Sequence, residues 1–439
     1  MKRFSLFLVG YLCVLGSLFA QLPTQPNPLV PQVIPQSPSF STFQPPSPHL
    51  QLRQQQHQEA MQRQQQVLRQ HQQAIEEFKA YQRQAEIRKR QEAYAKQMIR
   101  YNLGYKASPQ ATAHYRKAFR ILNAMLEGTM PLSLRDAVFA VENAYHNDTL
   151  DQAAFNQSIE DIASLLKAYV KKKKYAFTTD FEKNSALVYL MQNGIRAKHP
   201  VTKKKTTIVP FRYDFEDYWG REDHTKMFVT KLLRTGSGNC HSMPLLYLLV
   251  AEALETKASL AFAPNHSYVM FQDEAGKWLN YEATNQFMAS DQLMMGSGFI
   301  KAEAIQHGIY MTPLSKKEAV AQCLVDLTLG YEAKFGMDDT IAHFVSPIPK
   351  HAPRDIHGHM TMANYLTALW ASVEKQLLEK KEDYKERKDL EKFPKAKRAL
   401  MERNLLYKTL DDLGHEPIPA EIYERWLNQI QQAKQATHE

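Results

Sequence analysis

The chain has 439 residues, 44% of them hydrophobic and 23% charged, with a formal charge of +9 and three cysteines. That length implies two to four domains and ample material for a core. Lysine runs lie beside acidic residues and the net charge is small for so long a chain, so no nucleic-acid partner is expected; a basic surface that tolerates anionic partners is the plainer reading.

The N-terminus carries Met1-Lys2-Arg3, an apolar stretch over residues 4–19, and then Ala20-Gln21. This is the three-part pattern of a secretory signal peptide, with cleavage expected after Ala20 and Leu18 as a less than ideal residue before the cut. The apolar stretch is short for a membrane span, and no other stretch is long and apolar enough to cross a bilayer. Cys13 follows Leu12 inside the apolar run, which does not suit a lipid-attachment cysteine. Removal of the leader lowers the charge to +7 and leaves Cys240 and Cys323. The chain is therefore expected to be secreted or periplasmic, with no transmembrane segment after cleavage. Two cysteines do not make a disulfide framework, although a bond between them would silence Cys240 as a nucleophile.

Residues 21–50 are rich in Pro, Ser and Gln and predict an extended, disordered linker. Residues 51–104 are Gln-rich, and through about residue 100 they lack Gly and Pro, which predicts a long helix. Met61, Leu68 and Ile75 recur every seven residues, with Phe78 three further on. This sparse seam would serve self-association or a partner helix; a single polar helix is the alternative.

Residues 105–200 read as a helical region. Helices are expected from Ser108-Pro109 to about Glu127, from Ser133 as N-cap through Tyr145, from about Thr149 or Asp151 to Lys171, and from Asp180 or Asn184 to Met191. The lysines at 171–174 suit a helix C-terminus and need no binding role. Helical period is then lost. Residues 206–209 read as an edge strand, residues 212–219 as an aromatic and acidic loop ending in Trp219, and residues 223–234 carry Met227, Phe228, Leu232 and Leu233 at helical spacing.

The segment Thr235-Gly236-Ser237-Gly238-Asn239-Cys240-His241-Ser242-Met243-Pro244 reads as a glycine-loosened turn that delivers Cys240 onto an apolar helix running to about Leu254. Pro244 lies where a missing N–H does no harm. Three strands are expected next, over residues 259–262, 266–271 and 277–281, with Asp273-Glu274-Ala275-Gly276 as a turn. Pairing Phe271 with Lys277 makes opposed positions sum to 548 and sets His266 opposite Glu282 on one face; a one-residue slip would separate them.

A thiol attacks as thiolate, and a helix N-terminus with a nearby histidine favours that form and supplies a proton acceptor. A carboxylate behind the histidine would fix its tautomer. Cys240, His266 and Glu282 supply these types in order, separated by 26 and 16 residues. That spacing is far shorter than the papain pattern. His241 would point to another side of the helix and is read as packing or substrate contact. No second Cys or His cluster has ligand spacing, so neither metal nor cofactor is expected. The His357-Gly358-His359 run is read as a loop.

The runs Gly-Asn-Cys-His-Ser-Met-Pro-Leu-Leu, Asn-His-Ser-Tyr-Val and Lys-Trp-Leu-Asn-Tyr-Glu-Ala-Thr resemble the transglutaminase-like cysteine superfamily over about residues 205–300. The resemblance implies an α+β core of a Cys helix packed on a small antiparallel sheet, flanked by helical regions, here over residues 201–315. It implies Cys240, His266 and Glu282 as a triad acting on amide bonds of protein or peptide substrates. The family's usual aromatic residue two after the histidine is Trp and is here Tyr268; its usual acid is Asp and is here Glu282. Asn280 is a second candidate for orienting His266. Asn239 and Trp219 are candidate oxyanion donors beside the Cys240 N–H. A thioester would be resolved by water in a peptidase or amidase, or by an amine in a transglutaminase. The family also includes members without catalysis, so an inactive scaffold binding through its coiled coil and C-terminal helices is the alternative.

Residues 316–439 return to helix. Cys323 falls on the apolar stripe of a helix at about 316–334. Helices at about 357–386, 388–412 and 419–435, anchored by Trp370 and Trp426, resemble a degenerate tetratricopeptide-type repeat, with plain helical hairpins as the alternative.

Overall fold

The computed structural model describes residues 103–298, 300–379 and 384–416. The leader, the Pro-rich linker, the Gln-rich seam and the helix bearing Trp426 lie outside the described residues.

Four helices open the described chain: α1 (Ala113–Glu127), α2 (Leu134–Tyr145), α3 (Gln152–Lys173) and α4 (Asp180–Asn193). Their starts follow local chemistry. The Ser133 hydroxyl accepts the Asp136 N–H, the Asp151 carboxylate accepts the Ala153 and Ala154 N–H groups, and Thr179 forms a capping box with Glu182. Helix α1 begins later than Ser108-Pro109 predicts. The Ser108 hydroxyl accepts the Ala111 N–H and its carbonyl accepts the Thr112 hydroxyl, so a turn comes first.

Short strands follow. β1 (Ile195–Lys198) pairs antiparallel with β2 (Lys205–Ile208), and β3 (Arg212–Tyr213) pairs parallel with β4 (Ser237–Gly238). Between them lie a 3₁₀ turn (His224–Met227) and α5 (Val229–Thr235). The Cys helix α6 (Ser242–Ala253) comes next, and then a four-stranded antiparallel sheet in sequential order: β5 (Ser259–Ala263), β6 (His266–Gln272), β7 (Trp278–Glu282) and β8 (Phe287–Ala289). Strands β1, β3, β4 and β8 were not expected; two to four residues are too few to show a period of two. The architecture is a mixed α+β arrangement with small, mainly antiparallel sheets.

The register of β6 and β7 differs from the expected one. Val269 pairs with Tyr281 and Gln272 with Trp278, so opposed positions sum to 550 rather than 548. The turn is the cause. The Asp273 N–H donates to the Lys277 carbonyl, the Asp273 carboxylate accepts the Ala275 and Lys277 N–H groups, and Gly276 takes φ +80°. This closes a three-residue loop with its last residue left-handed, where the expected turn had more residues. A shift of two leaves every side chain on its face, so His266 and Glu282 still share one, now as diagonal neighbours.

The remaining helices are α7 (Asp291–Gly298), α8 (Ala302–Gln306), α9 (Lys316–Phe335), α10 (Asp339–Val345), α11 (Ile348–His351), α12 (Ile356–Glu379) and α13 (Pro394–Asp412), with a 3₁₀ turn (Arg387–Lys392) before the last. The His357-Gly358-His359 run is not a loop. It forms the first turn of α12, where the Asp355 carboxylate accepts the His357 and Gly358 N–H groups at 3.0 and 3.2 Å. Regions 105–200 and 316–439, separate along the sequence, meet in space: α9 packs on α1 and α2, and the Tyr115 hydroxyl donates to the Gly330 carbonyl at 3.0 Å.

Two glycines shape the entry to α6. Gly236, at φ +69°, closes α5 in the left-handed region. Gly238 is needed for space, since a Cβ there would lie 2.6 Å from Ser242 Oγ and 3.1 Å from Leu232 Cδ1. Gly238→Ala is expected to destabilise the protein by about 1–3 kcal/mol through overpacking, read as a lower urea midpoint at unchanged slope.

Candidate functional site

Helix α6 is apolar all round, and residues 242–251 are all buried. Such a helix belongs in the centre of a fold. Its first turn is organised by Asn239. The Asn239 Oδ1 accepts the His241 and Ser242 N–H groups and the Ser242 hydroxyl at 3.0–3.1 Å. Its amide nitrogen donates to the Tyr218 carbonyl at 3.1 Å and contacts Met227 Sδ at 3.0 Å. Both ends of Asn239 thus hold the turn and its neighbouring loop, a capping role rather than that of an oxyanion donor.

Cys240 is 1% exposed and packs in a cluster with Met227 and Phe228, against which Tyr145, Trp219 and Leu329 also lie. Cys323 is a buried free thiol on α9, so the two do not pair with each other. The Cys323 Sγ faces the Ala319 carbonyl one helical turn back, at 3.5 Å, and burial pushes its pKa up.

The histidine and the acid meet. His266 Nε2 lies 2.6 Å from Glu282 Oε2, with both side chains fully buried. Among the described residues His266 Nδ1 and Glu282 Oε1 have no hydrogen-bond partner. Among the described residues His266 Nδ1 makes no hydrogen bond to Cys240 Sγ, while the next residue's hydroxyl, Ser267, donates to the Cys240 carbonyl. The Glu side chain suits the shifted register, because its extra methylene carries the carboxylate across the diagonal. Tyr268 stacks near His266, with centroids 6.4 Å apart and planes 12° apart. Burial, and then the Glu282 charge, push its pKa upward.

The other candidates lie elsewhere. The Asn280 amide donates to Asp291 Oδ1 at 2.7 Å, which turns it away from His266 as an orienting group. His241 Nε2 lies 3.6 Å from Asp326 Oδ2. Trp219 sits under the Arg221 guanidinium at 5.4 Å, on the loop that covers Cys240. That loop is held by Asp214, which pairs with Lys226 at 3.1 Å and with the buried Lys231.

Three groups near the site, the buried Glu142 and the partly buried His224 and Asp326, escaped the sequence reading. Glu142 accepts the Val229 and Thr230 N–H groups at 2.7 and 2.9 Å. A lone acid or histidine in a helical stretch carries no local sign of such a place. Among the described residues no three His, Cys, Asp or Glu side chains are grouped to hold a metal ion, and no helix is long and apolar enough to cross a membrane.

Comparison of the chain with family models, with curated proteins and with solved structures finds no match.

Proposed function

We propose that this chain is a secreted or periplasmic transglutaminase-like protein whose reduced Cys240 transfers acyl groups from amide bonds of protein or peptide substrates. The observation that carries the reading is the buried contact of His266 Nε2 with Glu282 Oε2 at 2.6 Å, on strands that directly follow the Cys helix. A carboxylate at one ring nitrogen holds the imidazole's tautomer and leaves Nδ1 for a proton from the thiol. In the proposed reaction the Cys240 thiol gives its proton to His266 and its sulfur attacks the amide carbonyl. The S–C bond forms, the C–N bond breaks, and His266 returns the proton to the departing amine. Water or a second amine then attacks the thioester carbonyl and gives its proton to His266, the C–S bond breaks, and His266 returns the proton to the Cys240 sulfur, leaving a carboxylic acid or a new amide.

The burial of Cys240, which is 1% exposed, favours a second reading, a catalytically silent scaffold that binds partners through its coiled coil and C-terminal helices. Iodoacetamide labelling at pH 6 after mild reduction separates them. The expected result is selective modification of Cys240 over Cys323, lost in His266→Ala. A reduced Cys240 that stays unmodified would overturn the catalytic reading. Glutamine peptides incubated with and without an amine then assign the acceptor.

A further inference from the structure

On the side of α6 where His241 points, a cavity of about 20 Å³ is lined by Glu142, His224, His241, Cys323, Asp326 and Phe228. A volume of that size holds one water molecule, provided two or more polar partners face it. Two observations supply the partners. His241 Nε2 and Asp326 Oδ2 are 3.6 Å apart, beyond a direct hydrogen bond and too close for a water to lie between them, so a water serving both side chains has its place beside them, at His241 Nε2 and Asp326 Oδ1. Asp326 Oδ1 is buried and has no hydrogen-bond partner among the described residues.

We propose that this cavity is a hydration site, in which one ordered water bridges His241 and Asp326 and the pair holds a single shared proton. The site joins the start of the Cys helix to α9, and it does not depend on the catalytic reading.

The groups facing the pair come from every element around it. Glu142 lies on α2, His224 on the 3₁₀ turn and Cys323 with Gln322 on α9, while Asp355 and His357 at the start of α12 act through charge. No lysine or arginine lines the cavity. Burial lifts Asp326 to about 7 and lowers His241 to about 4. Each shift favours the uncharged form, so between those values the pair keeps one proton, whichever partner carries it.

The two shifts have opposite linkage. A raised carboxyl loses stability as pH rises from its unfolded value towards about 7, and a lowered histidine gains stability from about 4 to its unfolded value. In the intact pair the two slopes cancel between about pH 4.5 and 6.5.

Urea unfolding of the full chain across that window, for wild type, Asp326→Asn and His241→Gln, tests the shared proton. Relative to wild type, the folding equilibrium constant of Asp326→Asn should rise up to about tenfold per pH unit, and that of His241→Gln should fall by as much. Variant curves parallel to wild type would overturn proton sharing. A crystal structure at about 1.5 Å should place a single water within hydrogen-bond distance of His241 Nε2 and Asp326 Oδ1; an empty cavity, or direct contact of the two side chains, would overturn the hydration site.

Discussion

Replacing Glu282 with alanine is expected to destabilise the protein by about 3 kcal/mol and to abolish any special reactivity of reduced Cys240. Glu282 is 0% exposed, and its Oε2 is the hydrogen-bond partner that His266 Nε2 has among the described residues. Removing it strands a buried imidazole nitrogen and leaves a hole where a carboxylate was, and each effect is costly in a closed interior. Glu282→Asp is the sharper variant. It keeps the charge but draws the carboxylate back by about 1.5 Å, beyond hydrogen-bond reach of a diagonal neighbour. Urea unfolding should therefore show most of the alanine loss for Asp, whereas Glu282→Gln, which retains an acceptor at the same reach, should lose less. An aspartate variant as stable as wild type would show that the diagonal geometry does not set the choice of acid.

The second large effect is electrostatic and lies at Glu142. Its side chain crosses from α2 to cap α5, the helix leading into the Cys240 turn, and burial raises its pKa to about 7 despite the Thr230 and Val229 donors. Below about pH 4 both folded and unfolded chains hold this proton. Between there and about pH 7 only the folded chain does, so stability falls as pH rises through that window and levels off above it, by about 3 kcal/mol in total. Glu142→Gln cannot titrate. Its stability relative to wild type should therefore climb by about that amount between pH 4.5 and 7.5, measured by urea unfolding at each pH. A flat difference would mean that Glu142 is already ionised in the fold at acid pH. Glu142→Ala should be worse than Gln at every pH, since it orphans the Val229 and Thr230 N–H groups together.

Both effects depend on contacts of different legibility. The hairpin that brings His266 and Glu282 together is local. Asp273 and Gly276 announce the turn, alternation marks the strands, and parity alone puts the two residues on one face. The two-residue shift in register depends on how the Asp273 carboxylate folds back on the turn, which composition does not reveal. Even so, it leaves the pair on the same face.

The chain by itself determined the elements whose causes are local: the caps at Ser133 and Asp151, the helical stripe burying Cys323, and the turn delivering Cys240 to an apolar helix. The tertiary structure decided what those elements meet. Glu142 reaches Val229 across 87 residues, and His241 faces Asp326 from a different helix. Asn239 and Asn280, both plausible partners for the chemistry, are drawn instead to Tyr218 and Asp291. The physical reason is that a buried polar group takes whichever partner the packed interior leaves within about 3 Å, and that choice is made by the packing of helices and strands far apart in sequence.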